Sequence, residues 1–317
     1  MSPDGDEGYP GALDVTVTYS LTDDALVIAY SATTDRPTII NLTNHAYWNL
    51  GGTSEADILG HTLSMNADHY TVVDGSSIPT GELRPVAGTP FDFRAAKPIS
   101  RDIAALKDTP GGGFDHNWVV ARTARGLVLA AELTHAASGR VMRVESDQPG
   151  IQFYSGNYIH EVAGHRPQPY KKYAGLCLET QHFPDAPNHP GFASTVLRPG
   201  ETYATTTTYR FSTTKEPCVA PRRHYLHFIQ EGAGVPCKCS LSAEYQVRFQ
   251  PEHRVHSIHP QSPQVAFARS VLGIVALSAD DHTGVVCALQ WPSEFQRLRH
   301  RDRSGCGRRR RRHRLLV

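Results

Sequence analysis

No uninterrupted apolar run in the 317-residue sequence approaches the roughly 18 residues that a membrane-spanning helix requires, so a helical membrane protein is not expected. The N-terminus, Met1-Ser2-Pro3-Asp4-Gly5-Asp6-Glu7, has neither the basic region nor the apolar core of a secretory leader, and the expected compartment is the cytoplasm. Helical periodicity is nearly absent, with only Arg101 to Lys107 carrying a short helical pattern. Cys237-Lys238-Cys239 has one intervening residue where a zinc knuckle has two, and no paired Cys/His set follows it. A strong net charge is missing too, but the formal value of +1 conceals two unlike halves. Up to Thr214 there are 15 Lys+Arg against 23 Asp+Glu, giving −8; from Lys215 there are 17 against 8, giving +9. Cysteine is skewed the same way: Cys177 lies in the first part and the other five in the second. Two compositions imply two segments, 1–214 and 215–317.

Short strands dominate the first segment. Leu13 to Tyr19 and Leu26 to Tyr30 alternate at period two around the turn residues Thr22-Asp23-Asp24, which is the pattern of a hairpin. Further strands are expected at Thr38 to Leu42, Ile58 to Met65, Phe114 to Val120, Leu127 to Leu133, Val141 to Glu145, Ile151 to Tyr154, Gly175 to Thr180 and Tyr203 to Phe211. A longer irregular stretch around Ile78 to Glu82 is expected between them. Many short strands with almost no helix predict an all-β fold, an antiparallel sandwich or barrel.

Three stretches combine strand ends, aromatics and ionisable groups. They contain His45, Asp115 and Glu179, and Asn44 and Tyr47 flank the histidine. One imidazole and two carboxylates on one face of a β scaffold could supply a general acid, a general base and a sugar-hydroxyl anchor. Such a pair is expected to face each other across a pocket wide enough for a pyranose. Tyr47, Trp48, Trp118 and Phe183 offer flat surfaces to the C–H faces of a sugar. Each residue also has a plainer reading: a packed histidine, sheet-packing aromatics, a turn-capping Asp115 and a solvated edge Glu179.

The segments Asn41-Leu42-Thr43-Asn44-His45-Ala46-Tyr47-Trp48-Asn49-Leu50, Gly113-Phe114-Asp115-His116-Asn117 and Cys177-Leu178-Glu179-Thr180-Gln181 closely resemble the signatures of the aldose 1-epimerase, or galactose mutarotase, family. Ile78-Pro79-Thr80-Gly81, Gln148 to Tyr154 and Leu197-Arg198-Pro199-Gly200 support the match, which covers roughly Pro3 to Thr214. The resemblance implies an antiparallel β-sandwich of the galactose mutarotase type that binds an aldohexose, D-galactose or D-glucose, in an open cleft without metal or cofactor. It further implies that His45 is the general acid, Glu179 the general base, and Asp115 the holder of sugar hydroxyls. Asn44 and Tyr47 are expected to contact the substrate.

The chain departs from that pattern at both ends. The family segment that precedes Asp4 to Gly11, with its early strands, a sugar-binding arginine and a second histidine, is not in this sequence, so the sandwich is expected to be incomplete at its N-terminus. Residues 215–317 match nothing in the family. They are expected to form a largely disordered tail ending in the basic run Arg308 to Arg314, a block of like charge that stays solvated. Neither a specific nucleic-acid partner nor a membrane partner is expected, because no aromatic interleaving or nucleic-acid module accompanies that run. The alternatives to an epimerase are a catalytically silent carbohydrate-binding homologue and an interaction protein using exposed sheet edges or the basic tail.

Overall fold

The structure, a computed structural model, describes residues 1–122, 125–164 and 168–214 together with the backbone of 243–248. The expected basic tail and its arginine run therefore lie outside the described residues, apart from one strand. Along the chain the strands are β1 (Leu13–Leu21), β2 (Ala25–Thr34), β3 (Thr38–Ile39), β4 (Thr62–Met65), β5 (His69–Val73), β6 (Pro79–Pro85), β7 (Lys97–Pro98) and β8 (Asp115–Val119). They continue with β9 (Val128–His135), β10 (Arg140–Ser146), β11 (Gly150–Tyr154), β12 (Cys177–Gln181), β13 (Val196–Leu197), β14 (Tyr203–Thr213) and β15 (Ala243–Arg248). Among the described residues, helix is confined to α1 (Ser100–Ile103), which runs into a 3-10 turn at Ala104–Leu106, and to a few other 3-10 turns. No helix among the described residues is long and apolar enough to cross a membrane.

Two antiparallel sheets carry the fold. The larger has the strand order β15-β1-β2-β14-β10-β9-β4-β7 and the smaller β12-β11-β8-β5-β6; β13 and β3 form a separate pair. Val17, Ile28, Leu63, Leu133, Met142 and Val144 from the first sheet meet Tyr70, Trp118, Ile151, Phe153 and Leu178 from the second in one buried cluster. These residues follow the period-two alternation of their strands, so the core lies between the sheets and the fold is a β-sandwich. Polar contacts also cross it. Tyr209 Oη donates to the Leu178 carbonyl at 2.9 Å, and Thr180 bonds Thr207 hydroxyl to hydroxyl. Both tie β12 to β14.

The structure differs from the sequence expectations at several places, and β5, β7 and β13 are strands that the expectations do not include. The strand expected to reach Leu42 runs only to Ile39; the Ile40 N–H still donates to the Thr195 carbonyl, extending the β3–β13 register by one bond, and residues 41–46 carry no strand pairing. Residues 58–61 form a turn, and only Thr62–Met65 pair. The stretch around Ile78 to Glu82, expected to be irregular, contributes β6, which pairs with β5.

Candidate active site

Strand alternation sorts β8, β11 and β12 into two faces. The register sets Gln152 opposite both Asn117 and Glu179, and Tyr154 opposite both Asp115 and Cys177. Residues opposite one another, or two apart along a strand, share a face. Asp115, Asn117, Gln152, Tyr154, Cys177 and Glu179 therefore line one face of the small sheet, while Trp118, Ile151, Phe153 and Leu178 fill the core on the other. Where β8 begins, Ser155 Oγ accepts the Phe114 N–H at 3.0 Å and Asn157 Nδ2 donates to the Phe114 carbonyl at 2.9 Å. A Cβ on Gly113 would fall 2.1 Å from Asn157 Oδ1, so the close approach that sets up Asp115 needs glycine there.

β12 is the edge strand of its sheet, and the 41–50 loop runs along it. Asn41 clamps His182, with Nδ2 donating to its carbonyl at 3.0 Å and Oδ1 accepting its N–H at 2.9 Å. Trp48 and Leu176 exchange backbone hydrogen bonds at 2.7 and 3.0 Å, and Asn49 Nδ2 donates to the Ala174 carbonyl at 3.0 Å. The loop end is held by His61 Nε2, which accepts the Leu50 N–H, and by Ser138 and Arg140, which donate to the Leu50 carbonyl. His45 lies between these anchors and is thereby brought against β12.

Its ring bridges two groups of that strand. Nδ1 lies 3.3 Å from Cys177 Sγ and Nε2 lies 3.6 Å from Glu179 Oε1. Burial and the neighbouring carboxylates Glu179 and Asp115 hold the Cys177 thiol well above its ordinary pKa. The protonated thiol can donate to Nδ1, which leaves the imidazole proton on Nε2, the nitrogen facing Glu179. Burial lowers the pKa of His45. Burial, and then the charge of Asp115, push Glu179 up to about 8. Asp115 is raised by burial as well, against the opposing effect of Gln152 Nε2, which donates to its Oδ1 at 2.8 Å. Tyr47 and Tyr154 stand beside the imidazole, with ring centroids 5.2 and 6.0 Å from it.

The structure thus brings His45, Glu179, Asp115 and Tyr47 into one cluster. The imidazole and carboxylate stand side by side instead of across a sugar-wide gap. Asn44 Oδ1 accepts the Ala46 N–H at 3.1 Å, a bond that shapes the loop. Trp48 and Trp118, expected among the sugar-facing aromatics, are only 1% and 0% exposed. Trp48 packs on Tyr209 and Phe211, while Trp118 Nε1 donates to the Phe91 carbonyl at 2.9 Å. Phe183 lies against Phe192, 5.1 Å between centroids. Gln152, Tyr154 and Cys177 are not singled out from sequence; alternation puts Cys177 on the face of Glu179, but the strand pairing that adds Gln152 and Tyr154 to it comes from the structure.

The arrangement can move protons to and from two oxygens bonded to one carbon, because the imidazole and the carboxylate are close enough to reach both. The sequence profile of the aldose 1-epimerase family matches residues 1–210. Human galactose mutarotase is 45% identical over 213 residues, which cover 67% of this chain and 61% of that protein. The aldose 1-epimerase of Escherichia coli K12 is 42% identical over 214 residues, 66% of this chain and 62% of that one. Among solved structures, the GalM/aldose epimerase homologue from C. elegans superposes with a TM-score of 0.60 at 32% identity, over 67% of this chain and 64% of that chain. Galactose 1-epimerase from Lactobacillus acidophilus gives 0.56 at 30%, over 67% and 60%. The chain spans about three fifths of the length of the curated relatives it matches. On the match across its first 210 residues, the chain belongs to the aldose 1-epimerase family.

Proposed function

We propose that the chain is an aldose 1-epimerase that interconverts the α and β anomers of D-galactose or D-glucose. The observation that carries this reading is the 3.6 Å spacing of His45 Nε2 and Glu179 Oε1. Glu179 takes the proton of the anomeric C1 hydroxyl while His45 gives one to the ring oxygen, and the C1–O5 bond breaks to an open-chain aldehyde. Rotation about C1–C2 presents the other carbonyl face, and reclosure with both proton transfers reversed gives the other anomer. Both oxygens are bonded to C1, so an acid and a base standing side by side fit the task. Asp115, steadied by Gln152, accepts hydrogen bonds from sugar hydroxyls, and Tyr47 and Tyr154 offer rings beside them.

Polarimetry of freshly dissolved α-D-galactose tests the proposal. Mutarotation faster than buffer supports it, and a rate equal to buffer with folded protein present refutes turnover. General acid–base groups contribute on the order of 10²–10⁴-fold each, so Glu179→Gln should raise the barrier by about 3–5 kcal/mol while the far-ultraviolet circular dichroism stays unchanged.

The second reading is a carbohydrate-binding homologue without turnover. It is favoured by burial, which drives Glu179 towards its protonated form and His45 towards its neutral one. Calorimetric binding of galactose without accelerated mutarotation would select it.

A further inference from the structure

His45, Cys177 and Glu179 each offer one ligand atom, and these atoms all lie within 4.8 Å of one another. We propose that they form a site for a thiophilic divalent cation of the zinc class, which binds where the reacting sugar oxygens would sit and blocks the site. It concerns the residues assigned above to proton transfer, but binding of the ion does not depend on turnover.

The donor set is the first argument. The ion displaces the Cys177 proton to solvent on binding, and the resulting thiolate, with an imidazole and a carboxylate, suits zinc and its neighbours, whereas magnesium and calcium take oxygen ligands. Geometry is the second. Ligands at ordinary Zn–S and Zn–N/O lengths in a tetrahedron stand roughly 3.3–3.7 Å apart. Each ring nitrogen of His45 is already at that spacing from one partner, Nδ1 from Cys177 Sγ at 3.3 Å and Nε2 from Glu179 Oε1 at 3.6 Å, and one of the two nitrogens serves the ion. One imidazole nitrogen, the sulfur and one carboxylate oxygen lie within 4.8 Å of one another, so the remaining ligand must close by about an ångström to complete the set.

The fold supplies the rest. Cys177 and Glu179 are two residues apart on β12 and so project from one face, while the loop anchored by Asn41 and Trp48 holds His45 over them. Asp115, whose charge acts on His45, Cys177 and Glu179, adds negative potential without having to ligate. The His45 side chain is 33% exposed, whereas the thiol is fully buried. A small ion therefore enters past the imidazole, and three protein ligands leave a coordination position open towards the cleft.

The test uses the full chain. Residues 215–317 contain five further cysteines, so the readout is a difference: zinc bound per chain, by equilibrium dialysis and metal analysis, in the wild type and in Cys177→Ser. One ion fewer in the variant is expected, with a matching loss of thiolate-to-cobalt charge-transfer absorption when Co2+ replaces zinc. His45→Ala, at a partly exposed loop position, should lose the same ion, so the proposal does not hang on the folding of the cysteine variant. Saturating D-galactose should displace that ion from the wild type. Equal zinc stoichiometry in wild type and both variants, with native circular dichroism throughout, overturns the proposal. Mutarotation that is unaffected at zinc concentrations filling the site overturns it too. If the ion is lost on substitution but no mutarotation is ever detected, the metal site stands and the epimerase reading falls.

Discussion

Burial favours the uncharged form of both His45 and Glu179, lowering the imidazole pKa and raising the carboxyl to about 8. Between those limits the pair holds one proton that either partner can carry, and the form with imidazolium beside carboxylate is the one fit to open the ring. Acid adds a second proton and removes the base; alkali removes the shared proton and with it the acid. The predicted kcat/KM profile is therefore a bell whose alkaline limb falls near pH 8 and whose acid limb lies below the usual imidazole range, measured by polarimetry across pH. A rate constant flat from pH 5 to 9 would contradict the assignment. His45, Asp115 and Glu179 were legible in the sequence because each follows or ends a strand-like run among polar or aromatic neighbours, although His45 lies in the loop beyond β3 and Glu179 in the middle of β12. Cys177, Gln152 and Tyr154 were not, because a strand's alternation separates two faces without saying which is covered. The same ambiguity misplaced Trp48 and Trp118, since a large ring at a strand end suits a cleft or a core equally well.

The elements that matter most to the site are β12 and the loop beside it. An edge strand leaves a row of backbone groups unpaired, and here Asn41, Trp48 and Asn49 hold the residues that flank it, His182 at one end and Leu176 and Ala174 at the other. Asn41→Ala removes two of these hydrogen bonds. It should lower stability by about 1–3 kcal/mol and reduce kcat more than KM is raised, as His45 loses its fixed position. Urea melts and initial rates on one preparation check both, and a variant with wild-type stability and rate would show that the clamp is idle. The 41–50 run was read as a signature without its reason, because bonds from a loop to a distant edge leave no periodic pattern. β6 was equally hidden: it begins and ends with proline and is mostly exposed, so it carries none of the apolar alternation that marks a half-buried strand, and its pairing with β5 makes it one.

Across the whole molecule, buried histidines set the response to acid. His61 and His116 are 1% and 6% exposed, and burial lowers both to about 4, with the charge of His135 adding to the effect at His61. In the unfolded chain each titrates near 6.5, so below that pH the unfolded state takes up protons that the folded state refuses. Their contribution is full above pH 6.5 and is lost as pH falls towards 4. Glu179 acts in the opposite sense: raised to about 8 when folded, it favours the folded state increasingly as pH falls from 8 towards 4.5. A comparison that isolates one histidine is therefore the useful one. His116 packs on Phe91 at 4.6 Å between centroids, and His116→Phe should gain on the wild type by roughly 2 kcal/mol between pH 7 and pH 4.5, read from urea midpoints. A gap that stays constant with pH would refute the account.

The loop along β12 has one more consequence. The loop's hydrogen bonds to Leu176 and His182 close both ends of β12, so a strand offered by another molecule along that edge would have to displace the segment bearing His45. Self-association through this edge and an intact candidate site thus exclude each other, and the first sign of aggregation by that route would be a chain that still looks folded but whose imidazole no longer stands beside Glu179.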